Sequence, residues 1–162
     1  MNIQPYSEAD FESLVEAMAS FQDYIASLDP LQHTRQGKDF DAPAYLRVRI
    51  AESRKEGGVF LLAKEQSTIV GLISGRLVEV PEASALDEYV QKTGEVTELY
   101  VREDQRGKKV GTALMQAVER HFIELGCKAL LVDCFAPNTL AHQFYERYGF
   151  TDRMIMMRKE LE

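Results

Sequence analysis

Apolar residues recur along the chain with the periods of helices and of strands. A stripe at steps of three and four residues predicts a first helix: Phe11, Leu14, Val15, Met18, Phe21 and Ile25. Ser7 supplies a hydroxyl cap at its start, and the Asp29-Pro30 pair ends it. Residues 31–41 have no clear period and predict a loop. A second amphipathic helix is predicted from about Pro43 to Lys55.

Shorter apolar runs predict the strands of a sheet, at residues 1–6, 59–65, 68–80, 95–101, 128–134 and 153–161. The polar Gln66-Ser67 pair between two of these runs predicts a hairpin. Two later helices are predicted at about 112–125 and 139–148. The resulting order, β-α-α-β-β-β-α-β-α-β, predicts a single domain over residues 1–162, of the α/β (α+β) class with a mixed sheet.

Composition and charge narrow the possible partners. A net charge of −7 argues against nucleic acid, whose phosphate backbone needs a basic surface. No apolar run approaches the ~20 residues that span a bilayer, and the first residues lack a signal-peptide pattern. Cys127 and Cys134 form no CxxC pair and no histidine cluster accompanies them. We therefore expect a cytoplasmic protein with reduced thiols, without a membrane, nucleic-acid or metal partner.

A loop at residues 106–112 joins a predicted strand to a predicted helix and carries candidate chemistry. Gly107 and Gly111 let the backbone approach an anion closely, and Arg106, Lys108 and Lys109 add positive charge. A helix N-terminus also leaves free N–H groups that a phosphate can satisfy. The loop is neither a P-loop nor a GxGxxG motif. By itself it leaves a phosphate site and a plain surface turn equally open.

Two segments together resemble the GNAT superfamily of N-acyltransferases. RGKKVGTALM, preceded by ELYV, is similar to its Q/R-x-x-G-x-G/A loop through Arg106 and Gly111, with Lys109 in place of a glycine. A positive φ is uncommon for lysine, so we expect the Lys109 side chain to point outward or to assist the phosphates. NTLAHQFYERYGF matches the second signature in full: Asn138, Ala141, Phe144, Tyr145, Gly149 and Phe150. The resemblance covers about residues 59–160 closely.

The resemblance implies a GNAT-like fold, with a mixed, mostly antiparallel central sheet flanked by helices. It also implies an acetyl-CoA-dependent N-acetyltransferase that works by direct attack in a ternary complex, without a metal. The residues that the resemblance assigns to coenzyme A are Leu99, Tyr100, Val101, Arg106, Gly107, Lys108, Lys109, Val110, Gly111, Thr112, Asn138 and Tyr145.

Catalytic roles follow from the same resemblance. An amine acceptor is mostly protonated at neutral pH, so a base is needed, and the resemblance favours Glu98 acting through water. Glu95 is the alternative; the two residues would face opposite sides of a regular strand unless a bulge intervenes. Either one could equally be a solvated carboxylate. Tyr145 matches the family's general acid, with Tyr148 a weaker candidate.

The acceptor stays open at this stage. The acidic connection at residues 79–95 favours a cationic amine, such as a polyamine, an aminoglycoside or a lysine side chain, and a solvated acidic loop explains it equally well. His33 is a candidate acceptor contact, and Asn138 either caps its helix, binds the pantetheine arm, or does both. An acyl-CoA sensor without turnover is the rival function. The oligomeric state stays open as well, and the resemblance is compatible with a homodimer.

Overall fold

The computed structural model describes residues 1–55 and 57–161. Its strands are β1 (Asn2–Pro5), β2 (Val59–Glu65), β3 (Thr68–Leu77), β4 (Thr93–Val101) and β5 (Ala129–Val132). Its helices are α1 (Phe11–Leu28), α2 (Ala42–Ser53), α3 (Ser84–Asp87), α4 (Val110–Glu124) and α5 (Thr139–Tyr148). Short 3-10 turns occupy Glu8–Asp10, Gly37–Asp39 and Glu103–Gln105.

The strands form one five-stranded sheet in the order β1-β2-β3-β4-β5. Neighbouring strands run antiparallel except β4 and β5, which run parallel, so the predicted mixed, mostly antiparallel sheet is confirmed. The predicted hairpin is β2–β3, paired from Val59–Gly75 to Glu65–Thr68. Its second strand ends at Leu77, before the predicted limit at residue 80.

Helices cover both faces of the sheet. On one face, α1 and α2 bury a cluster that contains Leu14, Met18, Leu46, Leu62, Leu72 and Tyr100. On the other face, α4 buries a cluster that contains Val70, Ile73, Val96, Leu114, Val118 and Phe122. The apolar stripes read from the sequence are therefore the faces that the helices turn toward the sheet. Fully burying one such side chain stabilises the fold by roughly 1.5–3 kcal/mol.

Strand β4 starts earlier than its apolar run suggests, at Thr93 rather than at Glu95. A Cβ on Gly94 would lie 2.6 Å from the ring of Phe122, closer than two such atoms can approach. Glycine is therefore required where α4 crosses the sheet, although glycine in general weakens a strand. The predicted strand began at residue 95 and left Gly94 in the preceding polar connection.

Strands β4 and β5 separate after a short paired stretch. Their pairing runs from Thr93–Ala129 to Val96–Val132, whereas β4 continues to Val101. A register shift in the β3–β4 ladder lies between Ser74, opposite Glu98, and Gly75, opposite Val96. Thr97 is thus the extra residue of a β-bulge, a feature that bends a strand and re-aims its side chains.

The predicted final strand at residues 153–161 is wrong for the single chain. This segment lies outside any helix or strand, and its side chains are exposed. Residues with high strand propensity favour a pleated, partly buried surface, and they do not by themselves fix an extended backbone. Within the described residues no sheet edge pairs with it, so the preference is not met.

Candidate active site

The outer edge of β4 carries unpaired backbone groups beyond the point where β5 leaves it. Arg102 N–H donates to Val70 O (3.0 Å), which makes Leu72–Tyr100 a hydrogen-bonded pair of the antiparallel ladder. The N–H and C=O groups of Leu99 and Val101 therefore point away from β3, toward the side that β5 no longer covers. The backbone of Tyr100 faces β3 instead, and its side chain lies in the core.

The N-terminus of α4 follows this edge after the turn at Glu103–Gln105 and the loop at residues 106–109. Ala113 N–H is bonded within the helix, to Lys109 O at 3.0 Å, so the N–H groups of Val110, Gly111 and Thr112 precede the first intrahelical donor. A Cβ on Gly111 would be in ordinary contact, 3.5 Å from Phe144 and Val101. Packing within the chain therefore does not demand a glycine at this position.

The backbone of Lys109 has a positive φ, which is uncommon for a lysine. It is the N-cap residue of α4 and has a left-handed backbone with φ of 65°. Gly107, two residues before it, has φ of 76° and open space around its Cα. A left-handed lysine costs roughly 1–2 kcal/mol relative to an unstrained residue. The chain therefore keeps the left-handed geometry of the loop even though the residue usual at this position, glycine, is absent.

Arg106 joins the loop to the first helix. Its Nε donates to Val101 O (3.3 Å), and its guanidinium lies 4.7 Å from the ring centroid of Tyr24. The Tyr24 hydroxyl in turn donates to Asn138 Oδ1 (3.4 Å). Asn138 is buried and its Oδ1 also accepts from Ala141 N–H (3.2 Å), so the cap expected at the start of α5 is present.

Glu98 is a buried carboxylate, 8% exposed, on the face of β4 that packs against α2. The Tyr45 hydroxyl donates to its Oε1, and Arg49 Nε lies 3.2 Å from the same oxygen. Burial raises the pKa of Glu98, and the Tyr45 hydrogen bond and the Arg49 charge offset this only in part. Burial and the Glu98 charge together raise the pKa of Tyr45 to about 12, so Tyr45 stays a donor.

The bulge at Thr97 settles which way the two candidate bases face. Gly94 and Val96 face Phe122 and the α4 cluster, so Glu95 and Glu98 both lie on the opposite face of β4. Glu95 is more exposed and its Oε2 accepts from Arg76 Nε at 2.7 Å. Glu98 is thus the buried carboxylate of the pair, and Glu95 belongs to a partly exposed ion pair.

Two tyrosines of α5 differ in their surroundings. Burial, followed by the charges of Cys134, Asp133 and Glu98, raises the pKa of Tyr145. Tyr145 and Glu98 therefore belong to one electrostatic environment, and Tyr145 is protonated at neutral pH. Tyr148 instead donates its hydroxyl to Glu119 Oε2 (2.7 Å), on the side of α4. The Glu98 charge therefore reaches Tyr145, whereas the hydroxyl of Tyr148 is engaged on the side of α4.

An open depression of about 460 Å³ lies between α1, the following loop and α2. Its lining residues are Gln22, Thr34, Arg35, Phe40, Asp41, Ala44, Tyr45 and Val48. Tyr45 connects this depression to Glu98, since it lines the one and hydrogen-bonds the other. His33 lies next to the lining residue Thr34, and its own ring contacts Glu160 at 3.5 Å.

Sequence reasoning missed Tyr45, Arg49 and Tyr24. Tyr45 and Arg49 are four residues apart and therefore share one face of α2, which the sequence makes visible. That this face meets Glu98, 53 residues later, depends on how α2 packs on the sheet. Tyr24 was hidden among the polar positions of α1, because its partner Asn138 lies 114 residues away.

The sequence of the chain matches a known protein family. The model of the acetyltransferase (GNAT) family matches residues 21–150. The chain belongs to the GNAT acetyltransferase family. An aminoglycoside N(6')-acetyltransferase type 1 of Stenotrophomonas maltophilia is 31% identical over 113 residues, which cover 66% of this chain and 69% of that protein. The chain spans about two fifths of the length of other curated relatives that it matches.

Solved structures share the GNAT fold along the whole chain. A mutant of a Bacillus halodurans protein superposes with a TM-score of 0.84 at 20% identity, covering 100% of both chains. An aminoglycoside N-acetyltransferase bound to a bisubstrate analogue of coenzyme A superposes with a TM-score of 0.71 at 16% identity, covering 99% of this chain and 98% of that one. At these identities the likeness concerns the fold.

Among the described residues, 1–55 and 57–161, no helix is both long and apolar enough to cross a membrane. The same residues contain no group of histidine, cysteine, aspartate and glutamate side chains that could hold a metal ion.

Proposed function

We propose that this protein transfers an acetyl group from acetyl-CoA to a primary amine, by direct attack in a ternary complex. One observation carries the proposal: the edge of β4 beyond β5, where the backbone of Leu99 and the N–H of Val101 point outward, leads toward the free N–H groups of α4, and the buried Glu98 lies on the same strand. Membership of the GNAT acetyltransferase family supports the reaction type. The fold is shared with an aminoglycoside N-acetyltransferase bound to a coenzyme A analogue.

The phosphates and amides of coenzyme A could accept hydrogen bonds from the backbone N–H groups that, among the described residues, have no partner at the start of α4 and along the β4 edge. Its pyrophosphate would lie against residues 106–112, where the N–H groups of α4 and the charges of Arg106, Lys108 and Lys109 face an anion favourably. Gly111 supports this placement because packing within the chain does not require a glycine there. The amides of the pantetheine arm would pair with the edge of β4 as an added strand does.

The thioester is the acyl donor that acetyl-CoA supplies when bound. An N–H group of Leu99 or Val101 is a suitable donor to its carbonyl oxygen, and a donor fixed in advance for such an oxygen contributes about 3–4 kcal/mol in acyl transfer. Asn138 is held between Tyr24 and the first turn of α5, and it would border the arm at the point where β4 and β5 separate.

Glu98 is the base in this proposal. An amine with a pKa near ~10.4 is neutral in only about one molecule in a thousand at pH 7, which corresponds to about 4–5 kcal/mol. A carboxylate whose pKa is raised by burial accepts a proton more readily than an ordinary glutamate. Tyr45 and Arg49 fix its Oε1 oxygen, and Tyr45 also lines the depression beside α2.

Tyr145 is the proton donor to the departing thiolate. Its raised pKa keeps the hydroxyl protonated until the thiolate forms, so the proton is available at the moment when charge develops. Tyr148 is unsuited to this role because its hydroxyl is engaged by Glu119.

The acceptor would enter the depression lined by Asp41 and Tyr45. The net charge of −7 favours a cationic amine through long-range attraction. The Stenotrophomonas relative, an aminoglycoside acetyltransferase, makes an aminoglycoside the first acceptor to test. Polyamines and lysine-containing peptides complete the set of cationic primary amines.

The test is release of the coenzyme A thiol from acetyl-CoA in the presence of kanamycin, spermidine or a lysine-containing peptide, with the acetylated amine identified by mass spectrometry. The proposal predicts thiol release that depends on one of the amines and yields its N-acetyl product. Binding of acetyl-CoA without turnover of any amine would instead indicate an acyl-CoA sensor on the same fold. Lack of acetyl-CoA binding up to millimolar concentration would reject both functions.

A further inference from the structure

The acceptor depression reaches Glu98 through one side chain, that of Tyr45. The described residues that line the depression include Tyr45 and not Glu98, and the Tyr45 hydroxyl donates to Glu98 Oε1. An amine held in the depression therefore meets this hydroxyl before it meets the carboxylate. A base that the substrate does not touch directly needs a carrier for the proton, either a water molecule or a side chain.

The hydroxyl oxygen of Tyr45 has the bonding that a proton carrier requires. Its hydrogen is donated to Glu98, and the oxygen accepts from Arg49 Nε at 2.9 Å. A phenolic hydroxyl is donor and acceptor at once, so it can take up one proton while it gives up another. An ammonium N–H in the depression would be a second donor to this oxygen. Ionised Glu98 can only accept, which fixes the direction of the transfer.

Arg49 holds this arrangement in place and supplies a charge that favours the transfer. Its Nη1 pairs with Glu52 Oε2 at 2.8 Å, and its guanidinium lies 5.0 Å from the centroid of the Tyr45 ring. Burial and then the Glu98 charge raise the pKa of Tyr45 to about 12, whereas Arg49 acts in the opposite direction. Tyr45 is therefore neutral at rest, and the Arg49 charge stabilises the negative charge that develops on its oxygen during transfer.

We propose that Tyr45 relays the proton of the acceptor to Glu98. One N–H bond of the ammonium breaks as an O–H bond forms on Tyr45, and the original O–H bond of Tyr45 breaks as an O–H bond forms on Glu98 Oε1. The ammonium becomes the neutral amine that attacks the thioester, Glu98 becomes a neutral acid, and Tyr45 ends as a neutral hydroxyl. This inference rests on the proposed acetyl transfer and names the route of its proton.

Titratable and charged groups from α2, from α5 and from the residue after β5 interact with Glu98: Tyr45, Arg49, Tyr145 and Asp133. Burial raises the pKa of Glu98 most, and the Asp133 charge adds to the rise. The Tyr45 hydrogen bond and Arg49 lower the pKa. Removing the Tyr45 hydroxyl therefore removes one lowering contribution, and the Glu98 pKa should rise further.

The test compares Tyr45→Phe with the matched control Tyr6→Phe in the release of thiol from acetyl-CoA. The Tyr6 hydroxyl donates to Glu8 Oε2 at 3.1 Å near the start of the chain, so the control loses the same kind of bond outside the site. Tyr45→Phe should lower kcat/KM for the amine by about 10²-fold at neutral pH with unchanged affinity for acetyl-CoA, and Tyr6→Phe should leave both unchanged. Circular dichroism checks that both variants keep the native helix content.

The pH profile separates a relay from a group that only positions Glu98. Loss of a positioning contact would move the acid limb of Tyr45→Phe to higher pH and leave the rate above the limb equal to that of wild type. Loss of a relay keeps the rate low above the limb, and the deficit shrinks only toward the pKa of the amine, near ~10.4 for a lysine-like acceptor. The double variant Tyr45→Phe/Glu98→Gln should be no slower than Glu98→Gln alone, because both changes interrupt one route.

The contact itself can be measured in the protein without acetyl-CoA. NMR of ¹³C-labelled glutamate carboxyl groups follows the titration of Glu98, and Glu98→Gln assigns its signal. The midpoint of this titration should rise in Tyr45→Phe and stay unchanged in Tyr6→Phe.

Several results would overturn the relay. Wild-type kcat/KM in Tyr45→Phe, alongside an impaired Glu98→Gln, would leave Glu98 as the base and assign the transfer to water. A shifted acid limb with a normal rate above it would make Tyr45 a positioning residue only. An unchanged Glu98 midpoint in Tyr45→Phe would mean that the two side chains are not in contact. Absence of acetyl transfer to any amine by the wild type would instead overturn the proposed function, and the relay with it.

Discussion

Replacing Glu98 with glutamine removes the proposed base while disturbing its surroundings as little as the chain allows. Glutamine keeps an oxygen that can accept from the Tyr45 hydroxyl and from Arg49 Nε. Arg49 also keeps its second carboxylate partner, Glu52, at 2.8 Å. This partly buried cation is therefore not left without a counter-charge, and we expect the variant to fold normally.

The expected loss of activity follows from the protonation of the acceptor. At pH 7 the neutral amine is scarcer than the ammonium by about three orders of magnitude, and a positioned base typically contributes 10²–10⁴-fold. We therefore expect Glu98→Gln to lower kcat/KM for the amine by about 10²–10⁴-fold, which corresponds to about 3–5 kcal/mol of transition-state stabilisation. The affinity for acetyl-CoA should stay within about twofold, because Glu98 faces α2 and not the β4 edge.

The pH profile separates this role from a structural one. In the wild-type protein, activity should fall as the pH drops through the Glu98 pKa, which burial places above that of an ordinary glutamate. The variant should lack this acid limb, and its rate should rise about tenfold per pH unit toward the amine pKa, as the neutral amine becomes available. The deficit of the variant should therefore shrink at alkaline pH.

Thiol release from acetyl-CoA measures these rates, with Glu95→Gln as the matched control. Glu95 lies on the same face of β4 and in a partly exposed ion pair with Arg76, so its replacement should change kcat/KM by less than about threefold. Equal activity of wild type and Glu98→Gln, or parallel pH profiles, would refute the assignment of Glu98 as the base.

Further predictions concern single groups. Tyr145→Phe should lower kcat by about 10²-fold with an unchanged KM for acetyl-CoA; an unchanged kcat would remove Tyr145 from proton transfer. Lys109→Gly should stabilise the fold by about 0.5–1 kcal/mol in urea unfolding, because glycine relieves the left-handed strain at an entropic cost; a loss of stability would contradict this. Asp29 accepts hydrogen bonds from three loop N–H groups, and its carboxyl has a pKa of about 2. Asp29→Asn should therefore lower the free energy of unfolding most above about pH 4, and the difference from wild type should vanish near pH 2.

Local signals predicted most of the fold. The α1 and α4 stripes and the β2–β3 hairpin follow from periodicity and turn residues a few positions apart, and the structure confirms them. The order of elements then limited the possible topologies. The start of β4 was not predicted, because the need for a glycine at position 94 comes from the ring of Phe122, a residue 28 positions away.

In the candidate site, too, the parts that lie close together in the sequence could be predicted, and the contacts between distant segments could not. The β4 edge and the N-terminus of α4 are consecutive in the chain, so a motif can describe them. Glu98 could be proposed from its strand, but its preference over Glu95 depended on the bulge at Thr97 and on the burial that α2 gives to Glu98. Tyr45 and Arg49 reach it through the packing of α2 on the sheet, a contact between distant segments.

The final strand was the main error, and its cause is physical. Residues 153–161 have the residue pattern of a strand, but such a pattern does not determine which strand, if any, the segment pairs with. In the single chain the segment is unpaired, and its apolar side chains are exposed.

A structure determined with acetyl-CoA bound tests the central claim most directly. The account predicts that the pantetheine amides bond to the backbone of Leu99 and Val101, and that the pyrophosphate lies against the N–H groups of Val110, Gly111 and Thr112. It also predicts the thioester beside Tyr145, on the side toward Glu98. Acetyl-CoA bound elsewhere on the chain, with the β4 edge and the α4 N-terminus left unoccupied, would contradict the account.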